Sequence, residues 1–356
     1  MRVAAEIEDL RAVVAAAPAA AARGAGTHWE VGGCPARGTE VRAPRGVVSY
    51  DPADLTVTVA AGTSVEELAA VLGEAGQECA LDPRSPAATV GGLLATGLSG
   101  LRRLRYGPLR DRVLEVRFVT ADGRLVKGGG PTVKNVSGYD LPRLLVGSLG
   151  TLGVLVQVIL RCQPAPITAE WSMTADDPLP ARGRAYRPSC VAWDGRTTHV
   201  LLEGDPRDVE AERRAIGSEV VPGPPPWPDG PHRGRISVRP AAIPRVGRAL
   251  AELTGVTFLA EVGVGTVHVV AHAEEGLAAA RRAATAEGGW LLREAGAPGL
   301  DGFGCVLPNL AVMRRLRDAF DPTGKLARGR LPFDGPAVTD PEVETAMLST
   351  SSRGPA

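Results

Sequence analysis

Four glycine clusters, each mixed with small polar residues, constrain this chain more than anything else in it. They are Arg23-Gly-Ala-Gly-Thr27, the run Ala88-Thr-Val-Gly-Gly-Leu-Leu-Ala-Thr-Gly-Leu-Ser-Gly100, Tyr106-Gly107, and Gly147-Ser-Leu-Gly-Thr-Leu-Gly153. Glycine adopts positive φ without steric penalty and lets the backbone approach a ligand closely. Successive N–H groups in such loops can cradle a phosphate or diphosphate. A tight turn explains any one cluster, but four inside one half of the chain call for a shared purpose.

The common nucleotide loops are missing. GxxxxGK[ST] does not occur, and Gly24-Ala-Gly26 begins a GxGxxG run in which Trp29 takes the third glycine's place, disfavouring a Rossmann dinucleotide fold. There is no HExxH, no GxSxG and no Cys/His cluster at metal-ligand spacing, so hydrolase and zinc-enzyme readings have little support. The five cysteines, Cys34, Cys79, Cys162, Cys190 and Cys305, are scattered and read as structural thiols rather than disulfides or cluster ligands. Lys+Arg and Asp+Glu balance at 40 each, which gives no reason to expect nucleic acid or a membrane as partner. No apolar run of transmembrane length appears, and Met1–Leu10 carries Glu6, Glu8 and Asp9 where a signal peptide is basic and then apolar. The expected location is cytoplasmic.

At 356 residues the chain has room for two domains. Aromatic residues make up only 4%, so the core leans on Ala, Val and Leu. Residues 3–22 read as an alanine-rich helix, and Leu55–Val59 alternates as a half-buried strand. Ser64 and Glu67 are spaced as a capping box opening a helix that Gly73 and Gly76 close. Residues 113–119 and 124–127 flank Asp122-Gly123 as a hairpin, 141–146 read as a short helix and 154–162 as a strand. Gln163-Pro-Ala-Pro166 then marks a boundary, giving domains at 1–164 and 165–334 and a disordered tail at 335–356. In the second part, 197–203, 235–239 and 265–271 look like strands, 245–254 and 275–287 like helices, and 221–232 like a surface loop.

The motifs then become specific. Ser85-Pro-Ala-Ala-Thr-Val-Gly-Gly-Leu93 followed by Arg105-Tyr-Gly-Pro-Leu-Arg-Asp-Arg-Val-Leu114 resembles the FAD domain of the vanillyl-alcohol-oxidase/PCMH superfamily. Lys134–Leu141 with Val146–Val154 is similar to its glycolate oxidase and D-lactate dehydrogenase branch. The resemblance covers the first half and implies an α+β fold: a PCMH-type FAD-binding domain of two α+β subdomains, then a reduced α+β cap. It implies that Gly24, Ala25, Gly26 and Thr27 wrap the FAD pyrophosphate, and that Asp82 precedes the second cofactor loop. Thr89, Gly91 and Gly92 would hold the pyrophosphate and ribityl chain, with Gly97 and Gly100 continuing along the flavin. Tyr106 and Gly107 would lie near the isoalloxazine edge, and Gly153 and Val154 near the adenine end. Some relatives attach FAD through a histidine near the first loop. His28 falls one position late for that, so FAD is expected to be non-covalent and His28 an ordinary loop residue. The segment before Arg23 lacks an apolar strand that relatives show, which suggests a late start.

The cap departs furthest. Relatives that oxidise 2-hydroxy acids carry a His-x-Gly-Asp-Gly-Asn-x-His pattern that holds a metal. Here Glu261-Val-Gly-Val-Gly-Thr-Val-His268 keeps Gly263, Gly265 and His268 alone, so no metal is expected, and His268 and nearby His272 read as strand residues. The closing stretch Phe320–Arg330 is likewise altered: Ala327 and Arg328 replace an Asn-Pro pair, while Arg330 remains available to a carboxylate or phosphate. Arg102, Arg103, Arg105, Arg110 and Arg112 read as a solvated or partner-facing basic run, with neutralisation of the pyrophosphate as the alternative for Arg110. The implied function is the FAD-binding subunit of a complex that oxidises glycolate or a similar small 2-hydroxy acid. Its partners would be a larger homologous flavoprotein subunit and an iron–sulfur subunit, with membrane association only through them. Two alternatives stand beside it: a stand-alone FAD oxidase or dehydrogenase, and a non-catalytic assembly subunit. No catalytic base is assigned.

Overall fold

The computed structural model describes residues 2–131, 139–175, 177–305 and 307–333. Lys134–Gly138 of the second motif and the tail beyond 334 lie outside the described residues. The first helix, Arg2–Ala16, buries Ile7, Leu10 and Val14 and stops well short of residue 22. Pro18, which lacks an N–H, follows its end. Ala20–Ala22 then forms a short strand paired in parallel with Thr39–Val41, correcting both the long helix and the missing strand.

A five-stranded antiparallel sheet carries the first half, in the order Val47–Asp51, Thr56–Ala60, Val154–Arg161, Val113–Val119 and Leu125–Gly129. Val57 and Val59 alternate into the core as a half-buried strand requires, and Asp122-Gly123 turns the hairpin with Gly123 at φ +82°. Ser64 caps the helix Val65–Gly73 by accepting from the Glu67 N–H at 3.1 Å. Leu68, Leu72, Leu93, Leu94, Phe118 and Leu160 pack beneath.

The second half is an eight-stranded antiparallel sheet. Its order is Glu219–Val221, Thr168–Thr174, Thr198–Gly204, Cys190–Trp193, Val256–Glu261, Thr266–Ala271, His232–Ser237 and Trp290–Ala295. The strand expected at 235–239 runs instead over His232–Ser237, because Pro240 opens the turn into the helix Ile243–Ala251. One face buries Ile236, Val267, Val269 and Leu291 under that helix and Glu274–Ala286. Alternation sends Leu259, His268, Arg235 and Leu292, in register across four strands, to the opposite face. The first sheet takes no strand after Arg161 and the second none before Thr168, so we propose a division near residue 164. The closing segment crosses back: Ala20 bridges Leu326, and the Lys325 ammonium donates to the Val14 carbonyl at 2.7 Å.

Much of the basic run proves to be structural. Arg102 donates to Glu78 at 2.8 Å, Asp82 at 2.7 Å and Glu203 at 3.0 Å, joining the two halves, and only 15% of its side chain is exposed. Tyr106 donates its hydroxyl proton to Glu203 at 2.9 Å, and Arg105 donates to the Glu203 carbonyl at 2.6 Å. Arg112 is buried and donates to the Tyr106 carbonyl and to Gln163. A solvated surface is therefore corrected for Arg102, Arg105 and Arg112.

Candidate functional site

The loops meet in one cleft of about 370 Å³, walled by Gly24, Ala25, Gly62, Ser64, Thr89, Gly91, Gly92, Ser148, Gly150 and Gly153. Ser64 and Thr89 are bridged, which brings the capped end of one helix against the second glycine loop. Among the described residues, the backbone N–H groups of Gly24, Ala25, Gly26 and Thr27 meet no acceptor in the chain. With Gly26 at φ +80°, these four successive unengaged donors, all on residues that line the adjoining space, make a candidate nest for an anion. Among the described residues no carboxylate lines the cleft, whereas Arg23, Arg42 and Arg45 do. Arg42 is held by donating to the Gly24 carbonyl at 2.9 Å, and Arg45 by pairing with Glu67 at 2.5 Å. Gly24 must be glycine for packing as well: a Cβ there would stand 2.2 Å from Thr89 Oγ1. At Gly150, φ +78°, an added Cβ would meet nothing nearer than 3.9 Å, so this loop leaves the space open.

The cleft continues into a second compartment lined by Thr27, His28, Trp29, Thr96, Leu149 and Arg330. Arg330 donates to the Trp29 carbonyl at 2.6 Å and stacks on its ring at 4.9 Å. Its Nε is buried without a partner, and burial pushes its pKa down to about 10. Thr27 Oγ1 lies 2.9 Å from His28 Nδ1.

Eight of the residues expected from sequence share this space: Gly24, Ala25, Gly26, Thr27, Thr89, Gly91, Gly92 and Gly153. Six do not. Asp82 and Gly100 line a small neighbouring cavity with His28, Arg84, Trp227 and His268, and a Cβ on Gly100 would lie 2.1 Å from that of Asp82, so glycine is needed there for close packing. Gly97 ends its helix at φ +65° and borders a third cleft. Tyr106 sits at the junction of the two halves, Gly107 ends its short helix at φ +78°, and Val154 is buried beside Val119. Arg42, Arg45, Ser148, Gly150 and Arg330 complete the cleft. Of these, only the Gly147–Gly153 run and the closing Arg330 carried any sequence signal.

A buried polar cluster lies beyond His28. His268 Nε2 is 2.8 Å from Glu261, its Nδ1 accepts from Arg84, and Arg84 also pairs with Glu294 at 3.0 Å. Trp227 meets His268 edge-on at 4.8 Å and lies under the Arg84 guanidinium. Among the described residues no group of three His, Cys, Asp or Glu side chains is arranged to hold a metal, and here a guanidinium occupies the imidazole's second nitrogen. The cluster does not fit a metal.

Burial pushes the Glu261 carboxyl up to about 8 against the pull of Arg103, Arg235 and Arg84, and pushes His268 well below its ordinary value. A carboxyl raised in the folded state contributes stability that is lost as pH climbs from its unfolded value toward 8. A depressed histidine costs stability only below about pH 6.5. From pH 6.5 to 8 the Glu261 effect therefore acts without opposition from His268, and stability is expected to fall. Urea unfolding of wild type and Glu261→Gln at both pH values checks this, the fall being smaller in the variant.

Residues 2–129 match the family model for the FAD binding domain. The fold agrees: a solved structure of alkyldihydroxyacetonephosphate synthase superposes with a TM-score of 0.67 at 15% identity, covering 90% of this chain and 74% of that one. The fold is thus the PCMH-type FAD-binding fold, and its cofactor is FAD. Within that class the chain is 37% identical over 203 residues to glycolate oxidase subunit GlcE of Escherichia coli, covering 52% of this chain and 55% of that subunit. It is 37% identical over 150 residues to glycolate oxidase subunit GlcD of Bacillus subtilis, 41% of this chain and 32% of that one. A D-lactate dehydrogenase of Archaeoglobus fulgidus is 50% identical over 82 residues, 23% of this chain and 18% of that one. The chain therefore spans about half or less of the length of these relatives. Among the described residues no helix is long and apolar enough to cross a membrane.

Proposed function

We propose that the protein is the FAD-binding subunit of a complex that oxidises glycolate or a similar 2-hydroxy acid. The observation that carries this reading is the acid-free, glycine-walled cleft with its nest of four unengaged N–H groups. Bound there non-covalently, FAD supplies the two-electron redox chemistry. The nest at Gly24–Thr27 takes the diphosphate, Arg42 and Arg45 offset its charge, and Arg330 faces the second compartment with an unspent donor. Leu149 and Trp29 give that compartment apolar walls. His268 accepts from Arg84 at Nδ1 and so keeps its proton at Nε2, toward Glu261. That arrangement supports a subunit working beside others, because both ring nitrogens of His268 are engaged by Arg84 and Glu261 rather than presented to a substrate.

The partners in this reading are a larger flavoprotein subunit and an iron–sulfur subunit, supported by relatives that are themselves glycolate oxidase subunits. Affinity purification of the tagged protein from its native cells, with flavin and iron counted, tests it. The expected result is a complex holding both flavin and iron that oxidises glycolate, while the isolated chain does not. Turnover of glycolate by the isolated chain at an ordinary enzymatic rate overturns the partner-dependent reading.

A further inference from the structure

A third cleft, of about 240 Å³, opens where the two halves meet and shares Thr96 and Leu149 with the flavin compartment. Among the described residues three guanidinium side chains line it, Arg103 and Arg110 from the first half and Arg235 from the second, and no carboxylate does. Arg103 and Arg110 make no side-chain hydrogen bond or ion pair with the described residues, and their backbone positions belong to a short helix and the turn after it. Arg235 reaches Glu294 only at 4.0 Å, its Nε is buried without a partner, and 15% of its side chain is exposed. Burial pushes its pKa down against the pull of Glu294 and Glu261, and the neighbouring cations Arg103 and Arg84 add to the lowering. Trp290 and Phe303 form the apolar wall.

Like charges converging in a half-buried space are unfavourable unless anions offset them, and here Glu294 offsets Arg235 in part while Arg103 and Arg110 have no ion-pair partner among the described residues. We propose that this cleft is a binding site for a small dicarboxylate, distinct from the diphosphate nest. Arginine receives a carboxylate through two parallel N–H bonds, and three arginines offset two carboxylates where one would serve for a monoacid. The cleft volume suits an acid of a few carbons, whose methylenes lie on Trp290 and Phe303.

Calorimetric titration of the full-length protein with succinate and with butyrate, acids of one chain length differing by one carboxylate, tests the proposal. It is run with and without bound FAD, so that failure of flavin loading is seen separately from failure of succinate binding. Succinate is expected to bind at least about tenfold more tightly than butyrate, roughly 1.4 kcal/mol. Arg110→Met, at an exposed position that leaves the fold undisturbed, is expected to weaken succinate about tenfold, and Arg235→Met at least as much. Equal binding of the two acids, inorganic phosphate binding more tightly than succinate, or unchanged succinate affinity in Arg110→Met overturns it.

Discussion

Gly24→Val is expected to abolish flavin binding while leaving the protein folded. The new Cβ would fall 2.2 Å from Thr89 Oγ1 and 3.0 Å from its methyl, at the contact that sets the first glycine loop against the second. Neither can retreat freely: Thr89 Oγ1 accepts from the Gly92 N–H at 3.2 Å, and Gly24 anchors Arg42 through its carbonyl. The loop must swing outward, which breaks up the nest of N–H groups from Gly24 to Thr27. A loss of FAD affinity of about 100-fold or more is expected, roughly 2.7 kcal/mol at the least. Fluorescence titration of flavin-stripped protein reads it, and circular dichroism shows that the fold survives.

Arg102→Met is expected to be the most damaging single change to stability. It leaves Glu78, Asp82 and Glu203 facing one another across the junction with their shared cation gone, and Glu203 is 2% exposed at its side chain. Removing one partner of a buried ion pair costs about 3–5 kcal/mol. Tyr106 and Ser189 still donate to Glu203, at 2.9 and 2.5 Å, so the site is depleted rather than emptied. Thermal unfolding should show a drop of several degrees, partly recovered in Arg102→Met with Glu203→Gln, because the second change removes one of the stranded charges. A drop no larger than that of an exposed control such as Arg124→Met would show that the junction does not depend on this arginine.

Local chemistry made part of this structure legible in the sequence. The Ser64 cap, the Asp122-Gly123 turn and the alternation of Val57 and Val59 are each decided within a few residues, and the structure has all three. The glycine runs likewise announced the cleft, because freedom at positive φ is written in the residue type. Ala20–Ala22 was not legible: alanine favours helix on its own, and only pairing with Thr39–Val41 and Leu326 makes these residues a strand. Arg42 and Arg45 escaped for a related reason. Neither stands in a motif, and they matter because the chain brings them beside Gly24 and Ser64. Tyr106 read as a cofactor residue and Arg102 as a surface residue because Glu203, which engages both, lies about a hundred residues onward. Glycine spacing does not separate a residue facing a ligand from one that lets two loops touch, and Gly100 against Asp82 is the second kind.

Comparison of FAD with FMN on flavin-stripped protein tests the central claim most directly. If the nest at Gly24–Thr27 and the arginines Arg42 and Arg45 hold a diphosphate, FAD is expected to bind about 100-fold more tightly than FMN, which carries one phosphate and no adenosine. FMN binding as tightly as FAD, or neither binding, would contradict the account.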